Sequence, residues 1–123
     1  MKRIKISEAE WEVMSVIWQG GAVSADDLVE ALGAKKGWHS RTIRTLLDRL
    51  VKKQAVKIRT EEKRNIYEAR ISMEQALRQE SRSFAQRLFG GEPVSMLLHL
   101  LDETDLSNED IMKLKEILKE KEK

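Results

Sequence analysis

The segment from Trp38 to Lys53, WHSRTIRTLLDRLVKK, constrains the fold most, because its apolar and polar residues separate onto two faces of one helix. Its apolar residues recur at helical spacing, and basic and hydroxyl-bearing residues occupy most of the other positions. One face therefore requires a hydrophobic core, while the other face is left for solvent or for a ligand. The residues of the apolar face are Ile43, Leu46, Leu47 and Leu50.

The beginning of this helix has the composition of a DNA-recognition helix. Free backbone N–H groups and the helix dipole favour a phosphate there, and short Ser, Thr and Arg side chains can reach base edges. We interpret four residues as candidate base contacts and place Arg44 nearer the DNA backbone; the four are Ser40, Arg41, Thr42 and Thr45. A solvated basic face on an ordinary core helix explains this segment alone equally well, so the neighbouring sequence has to decide.

Two helices with capping signals precede the segment. Ser7 and Ser24 each lie three residues before an acidic residue, which is the spacing of a capping box. We predict a first helix over about residues 7–19 and a short second helix that ends before a turn at residues 34–37. Lys36 on that turn is a candidate phosphate contact. Two short helices joined by a tight turn, the second basic at its start, are typical of a helix-turn-helix.

After the third helix the apolar pattern changes from helical to alternating. Residues 56–59 and 67–71 alternate between apolar and charged side chains, which predicts two strands of a hairpin. The residues between them, 60–65, are polar, with Lys63 and Arg64 at the predicted tip. Three helices followed by a basic hairpin predict a winged helix. We interpret Lys63 and Arg64 as candidate phosphate contacts, although a solvated hairpin tip has the same composition.

The C-terminal part has apolar residues that it cannot bury alone. Residues 94–101, VSMLLHLL, are apolar around most of a helical circumference and need cover on most sides. Charge also divides the chain: residues 1–71 contain 15 Lys and Arg against 10 Asp and Glu, whereas residues 72–123 contain 8 against 11. We predict a winged-helix DNA-binding domain over 1–71 and a helical homodimerisation segment over 72–123, hence a mainly α fold with a small β-hairpin. Such a dimer would bind inverted half-sites on double-stranded DNA.

Composition and motifs make several other functions improbable. The 123 residues include no cysteine and only two histidines, so we expect no metal site and no cofactor. No apolar run reaches the roughly 20 residues of a membrane span, and the N-terminus lacks a signal-peptide core, so we expect a cytoplasmic protein. No nucleophile elbow, phosphate loop or dinucleotide-binding turn is present, so we expect no enzyme. A winged-helix module that binds a protein instead of DNA is a further alternative, which the basic third helix and hairpin tip disfavour.

Four stretches together resemble the penicillinase-repressor (BlaI/MecI) family of bacterial winged-helix regulators. They are SEAEWEVMSVIW near the start, SRTIRTLLDRLVKK in the third helix, FGG at residues 89–91 and DLS at residues 105–107. The resemblance implies a homodimeric repressor on inverted-repeat operators that silences β-lactam resistance genes. It also implies that a membrane sensor-transducer, acylated by a β-lactam, leads to proteolytic cleavage of the repressor in its dimerisation segment, which releases the DNA.

The sequence departs from the family at the cleavage site. The best-known members are cleaved at an Asn-Phe bond, and the matching pair here is His99-Leu100, so cleavage at this bond is a hypothesis beside the alternative of an ordinary helix residue. A copper-responsive relative would need a cysteine-rich metal site, which this chain lacks. A repressor of other genes with another inducing signal is the remaining alternative.

Overall fold

The computed structural model describes residues 4–123, which form two compact units, one ending at Gln79 and the other spanning Glu80–Lys123. Helices dominate, and three short antiparallel strands form one sheet with the order β1-β3-β2. The predicted class, mainly α with a small β element, is therefore confirmed. In chain order the elements are α1 (Glu8–Gly20), β1 (Ala22–Ser24), α2 (Ala25–Lys36), α3 (Ser40–Lys52), β2 (Val56–Glu61), β3 (Arg64–Ala69), α4 (Met73–Phe89), α5 (Pro93–Glu103) and α6 (Asn108–Lys121).

Serine capping boxes begin four of the six helices, as the sequence predicts. The serine hydroxyl accepts from the backbone N–H three residues on, whose acidic or amide side chain accepts from the serine N–H. Each box satisfies two backbone N–H groups that the helix would otherwise leave unpaired. The four serines are Ser7, Ser24, Ser72 and Ser107.

The core of the first unit forms between α1, α2 and α3. All four apolar residues of the α3 face are buried against α1 side chains such as Met14 and Ile17. Trp11 and Trp18 pack edge to face against each other, with ring centroids 5.2 Å apart, at the border of this core. The indole N–H of Trp18 also donates to the carbonyl of Ile71 at 3.0 Å, which joins α1 to the end of β3.

A third strand corrects the predicted two-stranded hairpin. Residues Ala22–Ser24 pair antiparallel with β3, so that Val23 lies opposite Tyr67 and Ser24 opposite Ile66. Three residues are too few for an alternating pattern to be recognised in the sequence. The sheet therefore connects the loop before α2 to the hairpin, which holds both against the same core.

The second helix is longer than predicted. It continues through Gly33 to Lys36, and Gly37 follows with φ 69° and ψ 18°, donating its N–H to the carbonyl of Gly33 at 3.0 Å. A left-handed residue after the last turn favours glycine, whereas a glycine inside a helix is only mildly unfavourable. The predicted turn over residues 34–37 is therefore wrong, because Gly37, not Gly33, ends the helix.

The second unit leaves most of its apolar side chains in solvent. Every residue of α5 and α6 is at least partly exposed, and Leu98 and Met112 have exposed fractions of 62% and 70%. Phe89 lies near Phe84 and His99, with ring centroids 6.2 and 6.4 Å away, and forms the small aromatic cluster of this unit. The exposed apolar residues of α5 are Val94, Leu97, Leu98, Leu100 and Leu101.

A partly buried ion pair, between the buried Glu10 and the more accessible Lys53, links the start of α1 to the end of α3. The side chain of Glu10 is 1% exposed, and its Oε1 lies 2.5 Å from Nζ of Lys53, which also donates to the carbonyl of Lys5 at 2.7 Å. Burial raises the pKa of the Glu10 carboxyl, but hydrogen bonds from Lys53 and Ser7 lower it by more, so the pKa lies below its ordinary value of 4.5. The pair fixes α3 at its C-terminal end.

Replacing Lys53 with methionine is expected to destabilise the fold by about 3 kcal/mol, because the Glu10 carboxylate stays buried without its partner. The pKa of Glu10 is depressed in the folded state, so its stabilisation is complete above about pH 4.5 and is lost as the pH falls through the folded-state pKa. Urea denaturation at several pH values should therefore show the difference between wild type and Lys53→Met shrinking below about pH 4.5. Lys52→Met, which changes an exposed neighbour, is the matched control; an equal loss in both variants would contradict this role for the pair.

Candidate nucleic-acid interface

The outer face of α3 presents a line of polar side chains directly opposite the buried residues. At 100° per residue, positions four, seven or eleven apart lie close in angle, so Arg41, Thr45, Asp48 and Lys52 share the side that faces away from Leu50. All four are exposed, as the burial of the opposite face requires. This line, named here the outer stripe, runs along the whole helix and carries two cations, one hydroxyl and one carboxylate.

The remaining predicted contacts flank the outer stripe. Thr42 lies on one side of it and Arg44 on the other, and both are exposed. Nη2 of Arg44 is 3.4 Å from Oδ1 of Asp26 at the start of α2, a weak surface pair that can exchange for a phosphate. Ser40, the first residue of the helix, is half-buried, so it is the least accessible of the predicted base contacts.

Two side chains at the start of α3 make hydrogen bonds within the helix. His39 is the N-cap, and its Nδ1 accepts from the N–H of Arg41 at 3.1 Å. Thr45 donates its hydroxyl hydrogen to the carbonyl of Arg41 at 2.9 Å. The oxygen of Thr45 is then restricted to accepting, so it suits a donor such as the amino group of a base.

The tip of the hairpin is tighter than the sequence suggests. Glu62 and Lys63 alone form the turn, with φ of 49° and 65°, so both adopt the left-handed conformation of a type I′ hairpin. Lys63 is at the tip, as predicted. Arg64 is not: it is the first residue of β3, opposite Glu61. Its charge also lowers the pKa of Asp27, after the larger effect of hydrogen bonds from Ser24, so Arg64 faces the start of α2.

Acidic neighbours offset the charges of two strand residues of the hairpin, Arg59 and Lys57. Arg59 pairs with Glu61 and Glu68, and Nζ of Lys57 lies 3.9 Å from Glu68. The hydrogen bond from Arg59 holds the pKa of Glu68 below its ordinary value. Among the residues that the structure describes, Lys63 forms no ion pair. Arg64, the first residue of β3, forms none there either, so the charges of Lys63 and Arg64 are both available to a phosphate.

Lys36 lies in the last turn of α2 and not in a loop. Its Nζ is 3.4 Å from a carboxylate oxygen of Glu12 on α1. Both side chains are partly exposed, and such surface pairs contribute little to stability, so a phosphate can replace the carboxylate. A position at a helix C-terminus also suits the lysine, because the dipole there favours a cation.

Three exposed residues of α3 were not among the predicted contacts. Asp48 and Lys52 belong to the outer stripe, and Arg49 lies beside it. The spacing of four and seven residues from Thr45 and Arg41 is the signal that identifies them. At the end of the helix, Lys53 pairs with Glu10, whereas its neighbour Lys52 is exposed and forms no ion pair among the described residues.

The described residues lack two further features, a cluster of possible metal ligands and a helix that could span a membrane. Within residues 4–123, no group of three or more histidine, cysteine, aspartate or glutamate side chains is arranged to hold a metal ion. In the same range, none of the helices combines the length and apolarity needed to cross a membrane.

Comparison with known proteins assigns these features to a family. Residues 6–120 match the family model of the penicillinase repressor. The penicillinase repressor of Bacillus licheniformis is 36% identical over 98% of this chain and 94% of its own, and the methicillin resistance regulatory protein MecI of Staphylococcus aureus is 33% identical over 98% of both. A similar solved structure is the solution structure of the monomeric form of Bacillus licheniformis BlaI in complex with the blaP half-operator. It covers 61% of this chain and 93% of its own, with 36% sequence identity and a TM-score of 0.55.

Proposed function

The chain belongs to the penicillinase repressor family of DNA-binding transcriptional repressors, and from this premise we propose that it acts as a cytoplasmic homodimer on inverted-repeat operators of β-lactam resistance genes. One observation supports the DNA-binding part of this proposal: the outer stripe of α3 is exposed along its length, while the opposite face of the helix is buried in the core. No catalytic step is part of this function.

In the proposed complex, α3 lies in the major groove with its first turns against the base edges. Three side chains at that end, Arg41, Thr42 and Thr45, contact bases, and Ser40 assists from the helix start. Arg44 contacts the backbone beside the groove. Lys36 and Lys63 contact phosphates on either side, and Arg64 adds a charge from the first residue of β3. These cations supply most of the affinity, and the base contacts supply the discrimination.

Removing both Arg41 and Thr42 side chains is expected to weaken binding to a palindromic operator by about 30-fold, the equivalent of about 2 kcal/mol for one good bidentate base contact. Binding to an unrelated duplex should fall much less. Fluorescence anisotropy with the two duplexes measures both affinities. Equal losses on both duplexes would contradict base contact by these residues.

Lys63 provides the complementary test of phosphate contact. Lys63→Asn keeps a residue that tolerates the left-handed turn and removes the charge. This variant should bind all duplexes more weakly by a similar factor. The slope of log affinity against log salt concentration should become about 1 smaller in magnitude. Lys115→Asn, an exposed lysine of α6, is the matched control. A salt slope that both variants leave unchanged would rule out phosphate contact at the hairpin tip.

The second unit supports the proposed dimer. Four exposed residues of α5, at positions 94, 97, 98 and 101, lie within about 100° of one another and form an apolar stripe. A second copy is the natural partner for such a stripe, because twofold symmetry lets one surface cover itself. The BlaI complex was solved for a monomeric form on a half-operator. A full operator with two halves would accordingly bind two chains.

Leu98→Glu is expected to dissociate the dimer, because each copy would bury a charge in the apolar contact. Sedimentation equilibrium should give twice the 14.3 kDa chain mass for wild type and a value near the single-chain mass for the variant. Ser95→Glu places the same charge at a polar position of the same helix and should remain dimeric. A monomeric wild type would exclude the proposed assembly.

The family also supports a mechanism of induction. We place the proteolytic cleavage at His99–Leu100, an exposed pair in the middle of α5, downstream of a β-lactam-sensing membrane transducer. Cleavage there would separate Leu101 of the apolar stripe and all of α6 from the DNA-binding unit, which weakens the dimer. A protease needs extended backbone, so α5 must unwind locally before the bond is cut.

Mass spectrometry of the repressor from host cells treated with a β-lactam tests this step. We expect a fragment that ends at His99, and only in induced cells. An intact chain after induction would instead favour the second candidate function, a repressor of the same family that controls other genes in response to another signal.

A further inference from the structure

We propose that Asp48 is a specificity-determining residue that accepts a hydrogen bond from the exocyclic amino group of a cytosine in each half-site, an inference that rests on the proposed DNA-binding function. Asp48 is exposed in the centre of the outer stripe, between Thr45 and Lys52. It lies seven residues, about 10.5 Å along the helix axis, from Arg41. That distance corresponds to about three base steps of 3.4 Å along the groove.

The surroundings of Asp48 separate it from an ordinary surface carboxylate. Arg44 and Lys52 stand four residues before and after it, the spacing at which helical ion pairs form. Within residues 4–123 Asp48 nevertheless forms no ion pair, whereas Arg44 pairs with Asp26 on another helix. The exposed carboxylate therefore has no ion-pair partner among the described residues and can accept a hydrogen bond from a molecule that binds the outer stripe.

A carboxylate on a DNA-binding surface is repelled by phosphates, so its presence there favours contact with a donor on a base. Aspartate accepts only, because both oxygens lack hydrogen near neutral pH. Guanine presents two acceptors in the major groove, thymine one, and adenine an acceptor beside its amino group. Cytosine alone presents an amino donor with no acceptor next to it. Asp48 thus favours cytosine and disfavours the other three bases at one position.

Selection of operators from a randomised duplex library tests this assignment with the full-length protein. Wild type should select a half-site with a fixed cytosine about three base pairs from the position that depends on Arg41. In Asp48→Ala, the preference for that cytosine over the other bases should fall about tenfold, while the base preferences at the other positions of the half-site should stay the same. Asp48→Asn should shift the preference towards adenine, because an amide pairs with the N6 and N7 groups of adenine.

Glu30→Ala is the matched control, because it removes the same charge from an exposed residue of α2. It should leave the selected half-site unchanged. If Asp48→Ala tightens binding to all duplexes alike and selects the same half-site as wild type, the carboxylate acts only through its charge and the assignment is wrong. If wild type selects no sequence at all, the proposed repressor function itself fails.

Discussion

The burial of one face of α3 determines which polar residues of the first unit face outward. Ile43, Leu46, Leu47 and Leu50 can leave water only by packing against α1, and this fixes the rotation of the helix about its own axis. Polar residues on the other side then face outward in a set order. The outer stripe is thus a consequence of the core, and a rotation of α3 would bury Arg41 and Asp48 at a large cost in desolvation.

The ion pair between Glu10 and Lys53 adds a constraint at the other end of the helix. It holds the C-terminus of α3 to the start of α1, while the N-terminus, capped by His39, stays open to solvent. An exposed helix N-terminus with free N–H groups attracts anions, so the open end is the one suited to DNA. The sheet completes the arrangement by joining the hairpin to the residues before α2.

Local signals in the sequence predicted most of the helices, and longer-range effects explain what they missed. Ser7 and Ser24 indicate helix starts in the sequence because a capping box needs only four consecutive residues. Gly33 and Gly37 are both candidate helix ends in the sequence, and in the structure Gly37 is the one that adopts positive φ. The strand at Ala22–Ser24 exists because β3 pairs with it, a partner more than 40 residues away.

The candidate site likewise contains some residues whose positions follow from local sequence and others whose positions do not. Arg41, Thr42 and Thr45 are exposed on α3, as helical periodicity requires, yet their contact with bases stays a prediction. The positions of Lys36 and Arg64 could not be predicted, because they depend on where α2 ends and on a two-residue turn. Ion pairs between distant segments, such as Lys36 with Glu12, leave no local pattern at all.

Genomic footprinting with the purified full-length protein tests the central claim most directly. Protected fragments should share an inverted repeat whose half-sites are centred about one helical turn, or a multiple of it, apart. They should lie upstream of β-lactam resistance genes, and increasing salt should weaken their protection steeply. Protection without a shared sequence, or no protection of duplex DNA at low salt, would contradict the assignment of the outer stripe of α3 as a surface that recognises operators.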